Sequence, residues 1–476
     1  MNPVYLTLEQ AADRLQCSVR TLRRWIAADK LRAARLPGGG YRIAEEDVDQ
    51  LLAPEAQHAM TAPSPTHHQA GDDGPHHLLP GGGVTSPKGF VAGAAYAGIK
   101  TFAKDKMDLG ILLSERPCVC AGTYTLNKFI SPSVTLTRQL VDKGNVRGVF
   151  VSSGIANAGV GEQGMVDAQE AVALAAEHVD AKDDELVIGT TGVIGVEMPM
   201  ALIRSGIPNI TLSREGGNGF ARAIMTTDRV PKSVALSLTL GGKTVTLGGC
   251  TKGSGMIHPN MATMLGYITT DAAVDRAFLR SALKAAVDET FNMVTVDGDT
   301  STNDMVVVLA NGAADNKPIK SGSADAGAFA AALHELCTLL SRELVKDAEG
   351  SSKIFSVRVE GAASDEDARR AARAVAASSL VKSAIHGNDP NWGRVVAAAG
   401  YSGAELDVSK VSFRINQVVI MEAGTPISFH REAVIAIMNN PEVALTLDLG
   451  LGEGAATAWG CELTEEYVQF NSAYTT

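Results

Sequence analysis

Near the start of the chain the apolar positions fall at helical spacing. Leu6-Thr7 is followed by Glu9, Ala11, Ala12 and Leu15, a pattern that predicts a short helix capped by Thr7. After a turn at Gln16-Cys17, Ser18 caps a second predicted helix over 19–28. Its Leu22, Trp25 and Ile26 share one face, and Arg20, Arg23 and Arg24 share the other. Two short helices around a tight turn make a helix-turn-helix. Residues 31–36, the Gly38-Gly39-Gly40 turn and residues 41–43 then predict a small basic hairpin, and 44–52 a closing helix.

The pattern lapses between Pro54 and Pro80, where no hydrophobic period survives, proline recurs and five of the ten histidines sit. Residues 54–80 therefore read as a flexible linker, and with no fixed spacing around His68 and His76 no metal site is assigned there. From residue 81 onward strands and helices alternate, with strands predicted over 148–152 and 185–188 and an alanine-rich helix over 166–178. Residues 233–247 alternate on both sides of Gly241-Gly242 and predict a hairpin. The mixture is that of an α/β (α+β) protein.

Two tempting motifs fail on mechanics. Gly242-Lys243-Thr244 ends like a phosphate-binding loop, but the earlier glycine such a loop needs falls on Ser237. Asp297, Asp299, Ser301 and Asn303 begin like a calcium loop, yet Thr302 stands where glycine is needed and Val308 where a bidentate carboxylate is needed. These aspartates are better suited to capping turns.

Composition narrows the class further. The 476 residues are 45% hydrophobic and 20% charged, enough for about three folding units. Cysteines at 17, 118, 120, 250, 337 and 461 form neither a disulfide framework nor a CxxC pair. With no long apolar run and no signal-peptide pattern, a cytoplasmic protein without a membrane segment is expected. The net charge of −11 argues against nucleic-acid binding by the whole chain. Residues 1–53, however, carry +1, and within 20–42 seven basic residues face one acid, Asp29.

Chemistry concentrates in the glycine-rich stretch from Gly248 to Leu265, which contains Ala262-Thr263. A threonine is a poor nucleophile inside a chain. It becomes a good one as the first residue, where its own α-amine serves as general base. Together with KGSGMIHPNMATML, the blocks GTTGVIG at 189–195, AIMTTD at 223–228, TVDGDTSTND at 295–304 and DPNWGR at 389–394 resemble the ornithine acetyltransferase (glutamate N-acetyltransferase, ArgJ) family. The likeness runs from about residue 82 to 476. The order of elements over 4–53 is similar to the winged helix-turn-helix of MerR and excisionase proteins.

The resemblance implies a fold of the N-terminal nucleophile, self-processing class. It implies cleavage between Ala262 and Thr263, giving an α chain ending at 262 and a β chain over 263–476 that stay together, expected as α2β2. Thr263 is then the nucleophile, moving acetyl from N2-acetylornithine to glutamate, with oxyanion stabilisation by Thr191 and Gly192. Substrate contacts are implied for Thr226, Lys252, Thr263, Glu349, Asn471 and Thr476, with Lys252 suited to a carboxylate and Glu349 to an amine. Family members differ in whether acetyl-CoA also donates acetyl, a choice this sequence leaves open, and no cofactor or metal is implied. His258 takes a structural or processing role, because an N-terminal threonine needs no other base.

One block departs from the family. Where N-S-G-N-A-N is usual, this chain has Ser152 to Asn157 as SSGIAN, which puts the local hydrogen-bond network in question. Two competing readings belong to other classes: a DNA-binding regulator whose body senses a metabolite, with Arg20, Arg23, Arg24 and Arg42 on duplex DNA, and an amidohydrolase of similar fold using water as acceptor.

Overall fold

The computed structural model describes residues 5–8, 10–11, 26, 31, 33–35, 41–44, 76–100, 106–258 and 264–473. The chain divides into two units, Met1–Gly71 and Asp72–Thr476.

In the first unit Thr7 and Gln10 cap each other reciprocally: the Thr7 amide donates to Gln10 Oε1 at 2.9 Å, and the Gln10 amide to Thr7 Oγ1 at 3.2 Å. This is the helix start expected from Thr7. Strands β1 (Tyr5–Leu6), β2 (Ala34–Arg35) and β3 (Tyr41–Ala44) form a sheet in the order β1-β3-β2. The β2–β3 pairing is the predicted hairpin, whereas β1 is an addition that two residues of sequence could not announce. Among the described residues Leu8, Ala11, Leu31 and Ile43 form a buried core in this unit. Arg42 lies on β3, while Arg20, Arg23 and Arg24 fall outside the described residues.

Among its described residues the second unit holds three sheets. One has the order β5-β6-β8-β9, built from β5 (Phe90–Ala95), β6 (Leu109–Ser114), β8 (Gly148–Ile155) and β9 (Leu186–Val193). A six-stranded sheet runs β4-β10-β11-β12-β14-β7, from β4 (His76–Leu78), β7 (Val119–Tyr124), β10 (Lys232–Leu240), β11 (Lys243–Lys252), β12 (Leu265–Thr270) and β14 (Met305–Ala310). The third runs β13-β20-β15-β19-β16-β17-β18, from β13 (Val294–Thr295), β15 (Ile354–Ala362), β16 (Ser412–Ile415), β17 (Val418–Glu422), β18 (Thr425–Pro426), β19 (Glu442–Asp448) and β20 (Gly454–Cys461).

The six-stranded sheet is covered on both faces, and the sequence of β14 shows why. Met305, Val307 and Leu309 join the core shared with the β5–β9 sheet. Val306, Val308 and Ala310 join the core under the helices Arg276–Glu289 and Ala326–Lys346. A strand buried on both faces carries a continuous apolar run rather than alternation, as MVVVLA does. The seven-stranded sheet has its own core against the helices Asp365–Ala377, Ser379–His386 and Trp392–Gly400.

The hairpin predicted over 233–247 is present as β10 and β11, joined at Leu240↔Lys243. Gly241 and Gly242 both have positive φ (55° and 77°), the backbone of a type I′ turn, which favours glycine at both positions. Topologically, β11 precedes residue 262 and β12 follows residue 263, yet the two are neighbours through the register Leu247↔Thr270 to Lys252↔Leu265. The antiparallel β14–β7 ladder crosses the same point in the chain a second time.

The linker expectation needs correction at its end. Residues 54–75 lie outside the described residues, but His76–Leu78 form edge strand β4, with Leu78 opposite Leu236 and the Leu79 amide donating to the Ala235 carbonyl at 2.8 Å. The edge of β10 offers backbone groups that pair whatever side chains they meet, so the segment needs no alternation to dock. No helix among the described residues is long and apolar enough to cross a membrane.

A chain beginning at Asp72 is expected to melt like the second unit of the intact protein. One beginning at Pro80 loses β4 and is expected to be less stable by about 1–2 kcal/mol, from a few cross-strand pairs. Denaturant unfolding of both truncations checks this, and equal stability would show that β4 adds nothing.

Candidate active site

A cavity of about 590 Å³ opens in the second unit. Thr191, Gly192, Thr226, Lys252, Glu349 and Asn471 all line it, although they come from stretches of the chain as much as 280 residues apart (471 less 191). Ala262, Thr263 and Thr476 lie outside the described residues. Ile257 and Met264, on either side of that internal segment, line the cavity too.

Thr191 and Gly192 sit near the C-terminal end of β9, where parallel pairing sets Gly192 opposite Gly154 of β8. A Cβ on Gly192 would stand 2.2 Å from the Gly154 carbonyl carbon, and its φ of 130° is left-handed, so both sterics and backbone require glycine. The ends of β8 and β9 are clamped by the Asn303 side chain, whose Nδ2 donates to the Ala156 carbonyl at 2.6 Å and to the Thr190 carbonyl at 2.9 Å. Within the SSGIAN block other side chains make hydrogen bonds of their own. Ser153 Oγ donates to the Ala223 carbonyl, and Asn157 Nδ2 donates to Ser133 Oγ at 3.0 Å and to the Gly164 carbonyl at 2.8 Å.

Lys252 ends β11 and is buried. Its Nζ donates to Thr191 Oγ1 at 3.0 Å, which leaves the Thr191 O–H as a donor beside an ammonium group. Burial pushes the Lys252 ammonium below its ordinary range, against the pull of Asp228, Asp304 and Glu349. Glu349 follows the helix Ala326–Lys346 and is held by its amide, which donates to the Ser254 carbonyl at 2.9 Å. Thr227 Oγ1 donates to its Oε1 at 2.6 Å and Asn471 Nδ2 to its Oε2 at 2.9 Å. The helix Glu465–Ala473 that carries Asn471 also brings Tyr467, whose hydroxyl donates to Asp297 Oδ2 at 3.2 Å.

Beneath these groups lies a charge cluster that the sequence did not disclose. Lys232 Nζ, buried, is 2.6 Å from both Asp228 Oδ1 and Asp347 Oδ2. Asp347 also takes the Arg229 amide and Nε, each at 3.0 Å. Burial alone would raise the Asp228 carboxyl, but Lys232 and Lys252 hold it down to about 2. Helical spacing could have hinted at the Asp228–Lys232 pair, but these residues are not helical, and Asp347 is remote in sequence.

His258 is unsuited to act as a base. Its Nε2 accepts from Arg373 Nη2 at 3.1 Å, so the ring proton belongs on Nδ1, 3.0 Å from Thr295 Oγ1. Burial, with Arg373 beside it, holds the ring down to about 4. Asp297 accepts the Met256 amide at 2.6 Å and the Ile257 amide at 2.9 Å, fixing the chain just before the undescribed segment. It is a turn-holding carboxylate, and no group of metal-ligating side chains occurs among the described residues.

The ArgJ family profile matches residues 91–476, and a helix-turn-helix domain profile matches residues 5–55. The arginine biosynthesis bifunctional protein ArgJ of Symbiobacterium thermophilum is 52% identical over 397 residues, 83% of this chain and 99% of that protein. The protein of the same name from Dehalococcoides mccartyi is 45% identical over 399 residues, 84% of this chain and 98% of its own length. Among solved structures, the arginine biosynthesis bifunctional protein argJ of Bacillus halodurans matches with 42% identity and a TM-score of 0.44, covering 44% of this chain and 100% of that one.

The His258 ring is expected to titrate near pH 4, and Arg373→Met to raise it toward the ordinary 6.5, as followed by histidine NMR. Because its folded value is depressed, its contribution to stability is whole above about pH 6.5 and is lost as pH falls toward 4. A ring that titrates near 6.5 with Arg373 in place would contradict the assignment.

Proposed function

The chain belongs to the ArgJ family, as an acyltransferase of arginine biosynthesis, and we propose that it moves acetyl from N2-acetylornithine to glutamate through an acetyl-enzyme on Thr263, after cleavage at Ala262-Thr263. One observation carries the reading. Six side chains and backbone groups suited to this chemistry converge on one cavity, which is also lined by Met264, the residue bonded to Thr263.

The chemistry is a double displacement. The α-amine freed at Thr263 takes the proton of its own hydroxyl, and Oγ attacks the acetyl carbonyl. Negative charge then grows on the carbonyl oxygen, where Thr191 and Gly192 supply donors and Lys252 adds positive charge through Thr191 Oγ1. Loss of one such donor is expected to raise the barrier by about 3 kcal/mol. Ornithine departs as the amine, taking the proton held by the Thr263 amine. Glutamate enters by the reverse path, its own amine attacking the acetyl group. Lys252 meets a substrate carboxylate and Glu349 a substrate amine, with Thr226 and Asn471 as polar partners and Thr476 completing the set. Acetyl supplied as acetyl-CoA would reach the same nucleophile, and α2β2 is the assembly in this reading.

Cleavage is compatible with the fold because β11–β12 and β14–β7 hold the two products in one sheet. The helix-turn-helix domain favours a second, additional role. Its basic stretch over 20–42 suits duplex DNA, with Arg20, Arg23 and Arg24 in a groove and Arg42 on the backbone.

The purified protein, denatured and weighed, is expected to give two chains of 262 and 214 residues (476 less 262). Thr263→Ala is expected to give one chain and no transfer; cleavage at this bond in that variant would remove Thr263 as nucleophile. Ornithine release that continues at full rate without glutamate would instead mark an amidohydrolase. For the N-terminal domain, a mobility shift on duplex DNA that weakens steeply with salt is expected, and its absence at low salt would exclude that role.

A further inference from the structure

Asp228 joins parts of the cavity wall that the chain keeps apart. Its Oδ2 accepts the amide of Thr226 at 3.0 Å, and its Oδ1 accepts the amide of Gly253, next to Lys252, at 2.7 Å. Oδ1 also takes Lys232 Nζ at 2.6 Å, and its side chain has no solvent exposure. One carboxylate therefore fixes the backbone at Thr226 and beside Lys252.

Its charge matters as much as its geometry. Lys252 is enclosed, and the groups facing it are Asp228 from the turn after the helix Gly217–Ala223, Asp304 just before β14, Glu349 after the helix Ala326–Lys346, Lys232 on β10, and Lys100 after β5. When a substrate amine occupies Glu349, that carboxylate is already balanced. Of the two anions left, Asp228 is the one bonded to the segment that carries Lys252.

We propose that Asp228 is a positioning residue for acetyl transfer, which sets Thr226 and Lys252 in place and keeps Lys252 an ammonium at its bond to Thr191. This rests on the acetyltransferase reading above. Lys232 opposes it electrostatically and supports it geometrically: it fixes the carboxylate, yet adds a like charge facing Lys252. Asp347 anchors Lys232 and Arg229 rather than the backbone beside Lys252, so it serves as the comparison.

The test is the pH profile of ornithine release in the full-length enzyme and three variants. Asp228→Asn is expected to lower kcat by about 10- to 100-fold at neutral pH. It is also expected to move the alkaline limb down by about one pH unit or more, because an anion facing Lys252 is gone. Lys232→Met should move the limb the opposite way, and Asp347→Asn should leave it in place while weakening the fold. A purely structural role would depress activity at all pH values with the limb unmoved in both charge variants, and that result overturns the proposal. If either charge variant fails to fold, the other still gives a shift of defined sign. Carbamylation of Lys252 by cyanate against pH, read by peptide mass, follows the same ionisation without activity. A shifted carbamylation curve in an enzyme that transfers no acetyl would separate failure of the acetyltransferase reading from failure of this one.

Discussion

Lys232 between Asp228 and Asp347 is the interaction on which the cavity depends. Ions in a protein interior persist only when each finds partners, and breaking one buried pair costs about 3–5 kcal/mol because the survivor is left uncompensated. Here the cost is met by geometry. Asp228 spends its remaining capacity on the amides of Thr226 and Gly253, and Asp347 spends its own on Arg229. Neutralising the interior charges is thus the same act as setting the wall of the cavity. Glu349, two residues beyond Asp347, inherits its position from that arrangement.

A second constraint is topological. An N-terminal nucleophile requires a broken chain, and a broken chain requires two pieces that do not part. The six-stranded sheet meets this by alternating its strands across the break: β11 beside β12, then β14 beside β7. Cores on both faces draw residues from both pieces, Cys250 with Leu265 and Tyr267 on one side and Leu247 with Ile268 on the other. Separation would expose these apolar faces to water, at roughly 1.5–3 kcal/mol for each large side chain.

Much of this was legible in the chain itself. Alternation about Gly241-Gly242 gave the hairpin, and the helix over 166–178 appears within Gln163–His178. Thr191, Gly192, Thr226, Lys252, Glu349 and Asn471 were singled out by the family resemblance and all line one cavity; at Gly192 a φ of 130° against Gly154 is the physical reason that glycine stands there. Less visible were contacts made by docking rather than by pattern. Edge strand β4 carries histidines and no period, so it read as linker. Thr227, Ser254 and Asp347 are ordinary polar residues until the fold brings them to Glu349 and Lys232. The substituted SSGIAN block lacks two amides in sequence; only the structure shows Asn303, some 150 residues on, bonded at these strand ends.

In the proposed reaction Thr263, once first in its chain, carries the acetyl group. The most direct measurement is the mass of the separated chains after brief exposure to N2-acetylornithine without glutamate. One added acetyl group is expected on the 214-residue chain, localised to its first residue and removed when glutamate is supplied. An acetyl group on the 262-residue chain, or none on either chain while transfer proceeds, would contradict it.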